Sequence, residues 1–175
     1  MTMRSVPAVT LRKATVDDEP FLLRVYSSAR ADEMALVPWT EEQRKAFLES
    51  QFAAQSSYYS QQFPGAAFEL ILADGEPAGR LYTAREEIIR ILDFIVLPEF
   101  RNQGIGTFLI CRLVAEAENT GKAIHIYVET SNPSLKFFER QSFSKIAEDG
   151  LNYLLEYRPR FFRDFSEDDL SSKSS

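Results

Sequence analysis

The residues best suited to chemistry in this 175-residue chain form a turn, Arg101-Asn102-Gln103-Gly104-Ile105-Gly106-Thr107, between a predicted strand and a predicted helix. The first backbone N–H groups of a helix have no internal partner, and with the helix dipole they favour a phosphate group. Gly104 and Gly106 remove the side chains that would hold an anion off. A Gly-x-Gly turn taken alone also fits tight packing or simple turn geometry. No Gly-x-x-x-x-Gly-Lys-Ser/Thr run occurs, which argues against a nucleoside-triphosphatase, and the missing third glycine argues against a dinucleotide fold. One cysteine, Cys111, and one histidine, His125, leave no disulfide framework and no cluster of soft metal ligands, so no metal is expected, although a carboxylate site stays open. Cys111 lies in the predicted helix beside Ile110 and Leu113 with no histidine nearby in sequence, so buried packing is expected rather than nucleophilic chemistry. His125 reads as a sheet residue.

The elements that must hold this turn follow from periodicity. Val9 to Arg12 reads as a first strand, and Thr15 to Asp18 as a capping signal ahead of a helix from Phe21 to Ala29. Thr40-Glu41-Glu42-Gln43 opens a second helix to about Tyr59, expected to bury Phe47, Ala54 and Tyr58 on one side. Ala67 to Leu72 and Pro77 to Ala84 form a hairpin about Asp74-Gly75. Ile88 to Leu97 is almost continuously apolar, as in a strand covered on both faces, with Arg90 and Asp93 as exceptions. Ile105, Leu109, Leu113 and Ala117 define the helix after the turn, and Gly121 stops it. Ile124 to Val128 is a strand, Asn132-Pro133 starts another helix, and Phe143 to Ala147 with Leu151 to Tyr157 closes a final hairpin.

The length suits one domain, and the net charge of -6 with a sequence pI of about 5.0 disfavours long-range attraction to nucleic acid or an anionic membrane. No apolar run reaches the length of a signal peptide or a membrane span, so a cytoplasmic protein is expected.

Two segments carry a family resemblance. The run from Leu92 through Gly106 resembles the acetyl-coenzyme A signature of the GNAT N-acetyltransferases, whose pattern is Arg/Gln-x-x-Gly-x-Gly/Ala. Asn132-Pro133-Ser134-Leu135-Lys136-Phe137-Phe138-Glu139-Arg140-Gln141-Ser142-Phe143 is similar to the family's Asn-helix-Tyr-Glu-Arg-x-Gly-Phe segment. The order of elements from about residue 9 to 157 agrees with the family's. The resemblance implies a single α/β (α+β) domain over 9–160, with an N-terminal extension over 1–8 and an acidic, mobile tail over 161–175. Its mixed sheet of six or seven strands would be splayed at the cofactor groove, with helices on both faces.

The resemblance implies acetyl-CoA as cosubstrate. Phe94, Ile95 and Val96 would pair with the pantetheine arm like an added strand. The pyrophosphate would lie on the N–H groups of Gln103, Gly104, Ile105, Gly106 and Thr107, with Arg101 and Asn102 at the rim. Asn132 would reach the pantetheine arm, and its plainer role is a helix cap. The family's mechanism is direct attack of a neutral amine on the thioester, with a backbone N–H near Ile95 or Val96 stabilising the oxyanion. Asp93, Tyr127 and Glu129 are candidates for proton removal, each of which also reads as an ordinary sheet residue.

Two departures stand out. Phe138 occupies the place of the tyrosine that protonates the leaving thiolate in many members, so water or another tyrosine such as Tyr153 must substitute, or turnover is slow. Ser142 replaces the usual glycine and alters turn geometry. The sequence therefore supports transfer to an amine, small molecule or peptide, and as an alternative a catalytically weak CoA-binding regulatory module. A third reading is an interaction protein with no cofactor. Met34, Leu36, Val37, Pro38 and Trp39 could line an acceptor pocket or belong to the core, and Glu33, Glu41 and Glu42 could attract a cation or be solvated. Phe161, Phe162 and Phe165 are placed to dock on this subunit or on a second copy, as in a homodimer.

Overall fold

The computed structural model describes residues 5–162, and contacts divide the chain into two compact units. The first runs to Ala84 and adds Leu92–Leu109, and the second joins Arg85–Ile91 to the chain from Ile110 onward. The expected tail residues Asp164 to Ser175, with Phe165, lie outside the described residues.

The first unit holds β1 (Val9–Lys13), α1 (Glu19–Ala29), α2 (Ala31–Ala35), α3 (Glu41–Gln62), β2 (Ala67–Ala73) and most of β3 (Glu76–Arg85). A short 3-10 turn at Val16–Asp18 precedes α1, and there Asp18 accepts the Thr15 N–H at 2.7 Å and pairs with Arg12. The second capping signal forms as expected: the Thr40 hydroxyl accepts the Gln43 N–H at 3.2 Å, and Gln43 Oε1 accepts the Thr40 N–H at 2.9 Å. Helix α2 departs from the expectation, so three helices precede β2 rather than two.

The buried side of α3 is also not the expected one. Phe52 is buried, Leu48 and Tyr59 pack on the same cluster, and Tyr58 is 56% exposed with Ala54 exposed as well. Leu48, Phe52, Gln55 and Tyr59 follow helical spacing as well as Phe47, Ala54 and Tyr58 do. The polar ends of Gln55 and Tyr59 find buried partners, and that decides the face. Phe52 joins Leu22, Tyr26, Leu70 and Tyr82 in the core of this unit, each such side chain contributing about 1.5–3 kcal/mol of burial.

Asp74 (φ 50°) and Gly75 (φ 83°) make the tight turn of the β2–β3 hairpin. Among the described residues the sheet has seven strands in the order β1-β2-β3-β4-β5-β7-β6, with β4 as Ile89–Val96, β5 as Ile124–Glu129, β6 as Ser144–Glu148 and β7 as Asn152–Tyr157. β4 pairs in parallel with β5 through Ile89↔Ile124, Arg90↔His125 and Ile91↔Ile126, all within the second unit. The strand continues past the last of these pairs as Leu92–Val96, which belongs to the first unit.

Helix α4 (Ile105–Thr120), which belongs to the second unit from Ile110 onward, ends at Gly121 (φ 71°), as its sequence indicated. Cys111 is exposed on α4, not buried, because the core stripe runs through Ile110 and Leu113 on either side of it. Helix α5 (Leu135–Arg140) starts later than Asn132-Pro133. The Asn132 side chain instead accepts the Ser134 N–H at 2.9 Å, closing a turn before the helix. His125 is a sheet residue whose ring contacts Glu156 at 2.8 Å. Phe161 is 82% exposed rather than docked, while Phe162 lies 4.6 Å from the Arg158 guanidinium.

Ser142, at the position after the α5 C-cap, adopts φ 68°. A left-handed conformation costs an L-residue about 1–2 kcal/mol, and glycine loses about 0.5–1 kcal/mol more backbone entropy on folding. Ser142→Gly should therefore raise stability by about 0.5–1 kcal/mol, read as a higher urea midpoint. An unchanged or lower midpoint would show that the turn is not strained.

Candidate functional site

The turn after β4 leads directly into the N-terminus of α4. Gly104 adopts φ 81°, Asn102 takes the left-handed φ of 59°, and the Gly104 carbonyl accepts the Phe108 N–H at 3.0 Å as the first bond of α4. Gly104 is thus the residue ahead of the helix, and the N–H groups that follow it belong to a first turn without intrahelical acceptors. Arg101 does not stand free at the rim: its Nε donates to the Val96 carbonyl at 2.9 Å. Gln103 folds back to donate to the Glu99 carbonyl at 3.1 Å. The first bond ties the turn to the strand it leaves, and the second ties it to the 3-10 turn Pro98–Phe100.

The end of β4 is fixed in direction by its other edge. A Cβ built on Gly79 of β3 would meet the Ile95 carbonyl oxygen at 2.1 Å, so that carbonyl points at β3. All peptides among the described residues are trans, and in a trans peptide the carbonyl and the following N–H point opposite ways. The Val96 N–H therefore points away from β3. The Leu97 N–H returns to the Ala78 carbonyl at 2.8 Å, which anchors the strand end. Of the two N–H groups expected from sequence near the oxyanion, those of Ile95 and Val96, it is that of Val96 that faces away from β3.

Behind β4 lies a buried polar cluster that sequence reading did not assemble. Arg80, 1% exposed, is ion-paired with Asp93, 16% exposed, and donates to Gln55 Oε1 at 2.8 Å. Its guanidinium carbon sits 4.8 Å from the Tyr82 ring centre and 5.8 Å from that of Tyr26. The Tyr59 hydroxyl donates to the Leu92 carbonyl at 2.9 Å. Burial pushes the Tyr59 hydroxyl well above the ordinary tyrosine range and raises that of Tyr82, so both stay protonated donors. Burial likewise raises the Asp93 carboxyl, with the charge and hydrogen bond of Arg80 opposing the rise.

The remaining candidates lie in the second unit. Tyr127 is 61% exposed and Glu129 is exposed, both on the open face of β5. Lys145 Nζ stands 3.9 Å from the Tyr153 ring centre, which engages that tyrosine in a cation–π contact. Phe138 is 3% exposed, with ring centres 5.2 Å from Phe137 and 5.3 Å from Phe143, a core residue by its surroundings. Of the residues between α1 and α3, Met34 is buried, Trp39 packs edge-on against Phe47 at 5.1 Å and Leu36 is 87% exposed. Among the described residues no group of three or more potential ligands is placed to hold a metal ion. No helix among them is long and apolar enough to cross a membrane.

Comparison with known proteins agrees with this geometry. The sequence profile described as the acetyltransferase (GNAT) family matches residues 27–143. No curated protein matches. Among solved structures, the PaiA N-acetyltransferase of Thermoplasma acidophilum, in complex with coenzyme A, is similar at 18% identity and a TM-score of 0.66, covering 86% of this chain and 99% of its own. An acetyltransferase from Thermus thermophilus is 20% identical with a TM-score of 0.62, over 89% of this chain and 99% of its own. The ribosomal-protein-S18-alanine N-acetyltransferase of Escherichia coli is 17% identical with a TM-score of 0.58, over 91% and 98%. At these identities the likeness is one of fold.

Proposed function

The chain belongs to the acetyltransferase (GNAT) family, and on that footing we propose that it transfers the acetyl group of acetyl-CoA to a primary amine by direct attack in a ternary complex. The observation that carries this reading is the junction of β4 with α4. There a strand that has left its β5 partner after Ile91 runs into a glycine turn and a helix N-terminus. The pyrophosphate would sit on the N–H groups from Gly104 to Thr107, and the pantetheine arm would pair with Phe94, Ile95 and Val96 as an added strand. Acetyl-CoA would supply the activated acetyl thioester. Val96 N–H, which points away from β3, is the donor this chain offers to the oxyanion. Asn132 Oδ1 closes the turn before α5, and its side-chain NH2 would reach the pantetheine arm.

Asp93 is the proton acceptor best supported, being a partly exposed carboxylate on the same strand as the proposed oxyanion donor. The acceptor is a small amine or the amino group of a peptide. A second reading keeps cofactor binding and gives up fast turnover, and Phe138 favours it: buried among phenylalanines, it carries no hydroxyl to protonate the thiolate.

Cofactor binding is tested by thermal shift. Ligand at 100 times its dissociation constant stabilises the native state by about 2.7 kcal/mol, so coenzyme A should raise the melting temperature of the full chain. Gly104→Trp should diminish that rise, because φ 81° and the nearby Val6 leave no relaxed place for an indole. Equal shifts for parent and variant would place coenzyme A elsewhere. Turnover is read as amine-dependent release of free thiol from acetyl-CoA.

A further inference from the structure

Arg80 is the most deeply buried charge in the described chain, and nothing in ordinary packing calls for it. A buried ion pair is weak as a stabilising device, since desolvation offsets the attraction, and apolar residues of similar volume often serve stability better. Here the arrangement is committed to one carboxylate. One terminal nitrogen donates to Asp93 and to Gln55 Oε1, while Nε and the other terminal nitrogen are buried without a hydrogen-bond acceptor. The faces of Tyr82 and Tyr26 lie beside the guanidinium in place of such acceptors. Tyr59 holds the preceding carbonyl, that of Leu92, from α3. The Leu92–Asp93 segment is thus clamped from β3 and from α3, while the Asp93 side chain keeps an exposed edge.

Resting on the acetyl-transfer reading above, we infer that Arg80 is a positioning residue for proton transfer, holding Asp93 as an oriented anion whose exposed edge takes the proton of the acceptor amine. In that step an N–H bond of the ammonium breaks and an O–H bond forms on Asp93, directly or through one water. The freed nitrogen lone pair attacks the thioester carbon, the C–N bond forms and the C–S bond breaks, the nitrogen loses its second proton to solvent, and the thiolate takes a proton from solvent. Asp93 returns its own proton to solvent afterwards. A carboxyl buried without a counter-charge would hold its proton at neutral pH and could accept none. Arg80 opposes that block: its charge and hydrogen bond pull the Asp93 carboxyl down against the larger rise that burial causes. The other titratable groups facing Asp93 are Tyr59 and Tyr82, both of which remain neutral.

The test is a 13C carboxyl NMR titration of the full chain, with the Asp93 signal assigned by its loss in Asp93→Asn. Parent, Arg80→Lys and Arg80→Met are compared. We expect the Asp93 titration to move up by one unit or more in Arg80→Met and to fall between the two in Arg80→Lys, which keeps the charge should Arg80→Met fail to fold. The rising limb of the pH–rate profile for thiol release should move by the same amount, about tenfold in rate per unit below the transition. An Asp93 titration unchanged by both substitutions overturns the inference, as does a rate profile that stays put while the titration moves. Thermal shift by coenzyme A fails only if the cofactor reading fails, and the NMR titration does not depend on it.

Discussion

Gly79→Ala should cost about 3 kcal/mol of stability and abolish coenzyme A binding by the surviving native molecules. The added Cβ would lie 2.1 Å from the Ile95 oxygen, 3.0 Å from Val96 Cα and 3.1 Å from the Ile95 carbonyl carbon. All three are backbone atoms, so no flexible side chain can yield and the two strands must part. Parting them strains the neighbouring Leu97 N–H to Ala78 bond and turns the Val96 N–H, the group proposed for the oxyanion. Gly65→Ala is the control, since a Cβ there meets nothing within 4 Å, and it should stay within about 0.5 kcal/mol of the parent. Urea unfolding gives the stability difference, and the thermal shift with coenzyme A gives the binding loss. A near-neutral Gly79→Ala would mean that β3 and β4 are not held as close as described.

Arg80→Met should destabilise the chain by about 3–5 kcal/mol at neutral pH, because one partner of a buried pair is left unpaired. The pH dependence has a definite sign. Burial already holds the Asp93 carboxyl above its ordinary value, with Arg80 opposing, and loss of Arg80 lets it rise further. The native state then keeps a proton that the unfolded chain has released, so the contribution is fully present below the unfolded carboxylate range, about pH 4. It is lost as pH rises towards the raised native value. The deficit of Arg80→Met relative to the parent should therefore be small near pH 4 and widen towards pH 7, measured by urea midpoints at both. Adding Asp93→Asn to Arg80→Met should recover most of the neutral-pH loss. A deficit independent of pH would indicate lost packing alone.

Local signals in the sequence were sufficient for the strands, the Asp74-Gly75 turn, the Thr40 cap and the β4–turn–α4 junction, because each depends on neighbouring residues. Where a choice depended on distant partners, local periodicity was not enough. Phe47, Ala54 and Tyr58 made as good a stripe as Leu48, Phe52, Gln55 and Tyr59, and only the Gln55 and Tyr59 partners on β3 and β4 separate the two. Cys111 looked buried beside Ile110 and Leu113, but one helical step of 100° carries it off the core stripe. The Arg80 cluster left one usable trace: a lone arginine between Ala78 and Tyr82 in one strand, and a lone Asp93 in the next, nearly apolar strand. Opposite charges in adjacent buried strands point to a pair, since neither is tolerated there alone. Neither the acceptor class nor the residue replacing the tyrosine at Phe138 leaves such a local trace.

The central claim, acetyl transfer to an amine, is most directly tested by incubating the full chain with acetyl-CoA and a panel of amines and peptides. Free thiol is followed with time and the products are weighed by mass spectrometry. The expected result is amine-dependent thiol release matched by a product heavier by one acetyl group. Thermal protection by coenzyme A with no thiol release across the panel would contradict transfer and favour the regulatory reading, and the absence of both would contradict the cofactor site itself.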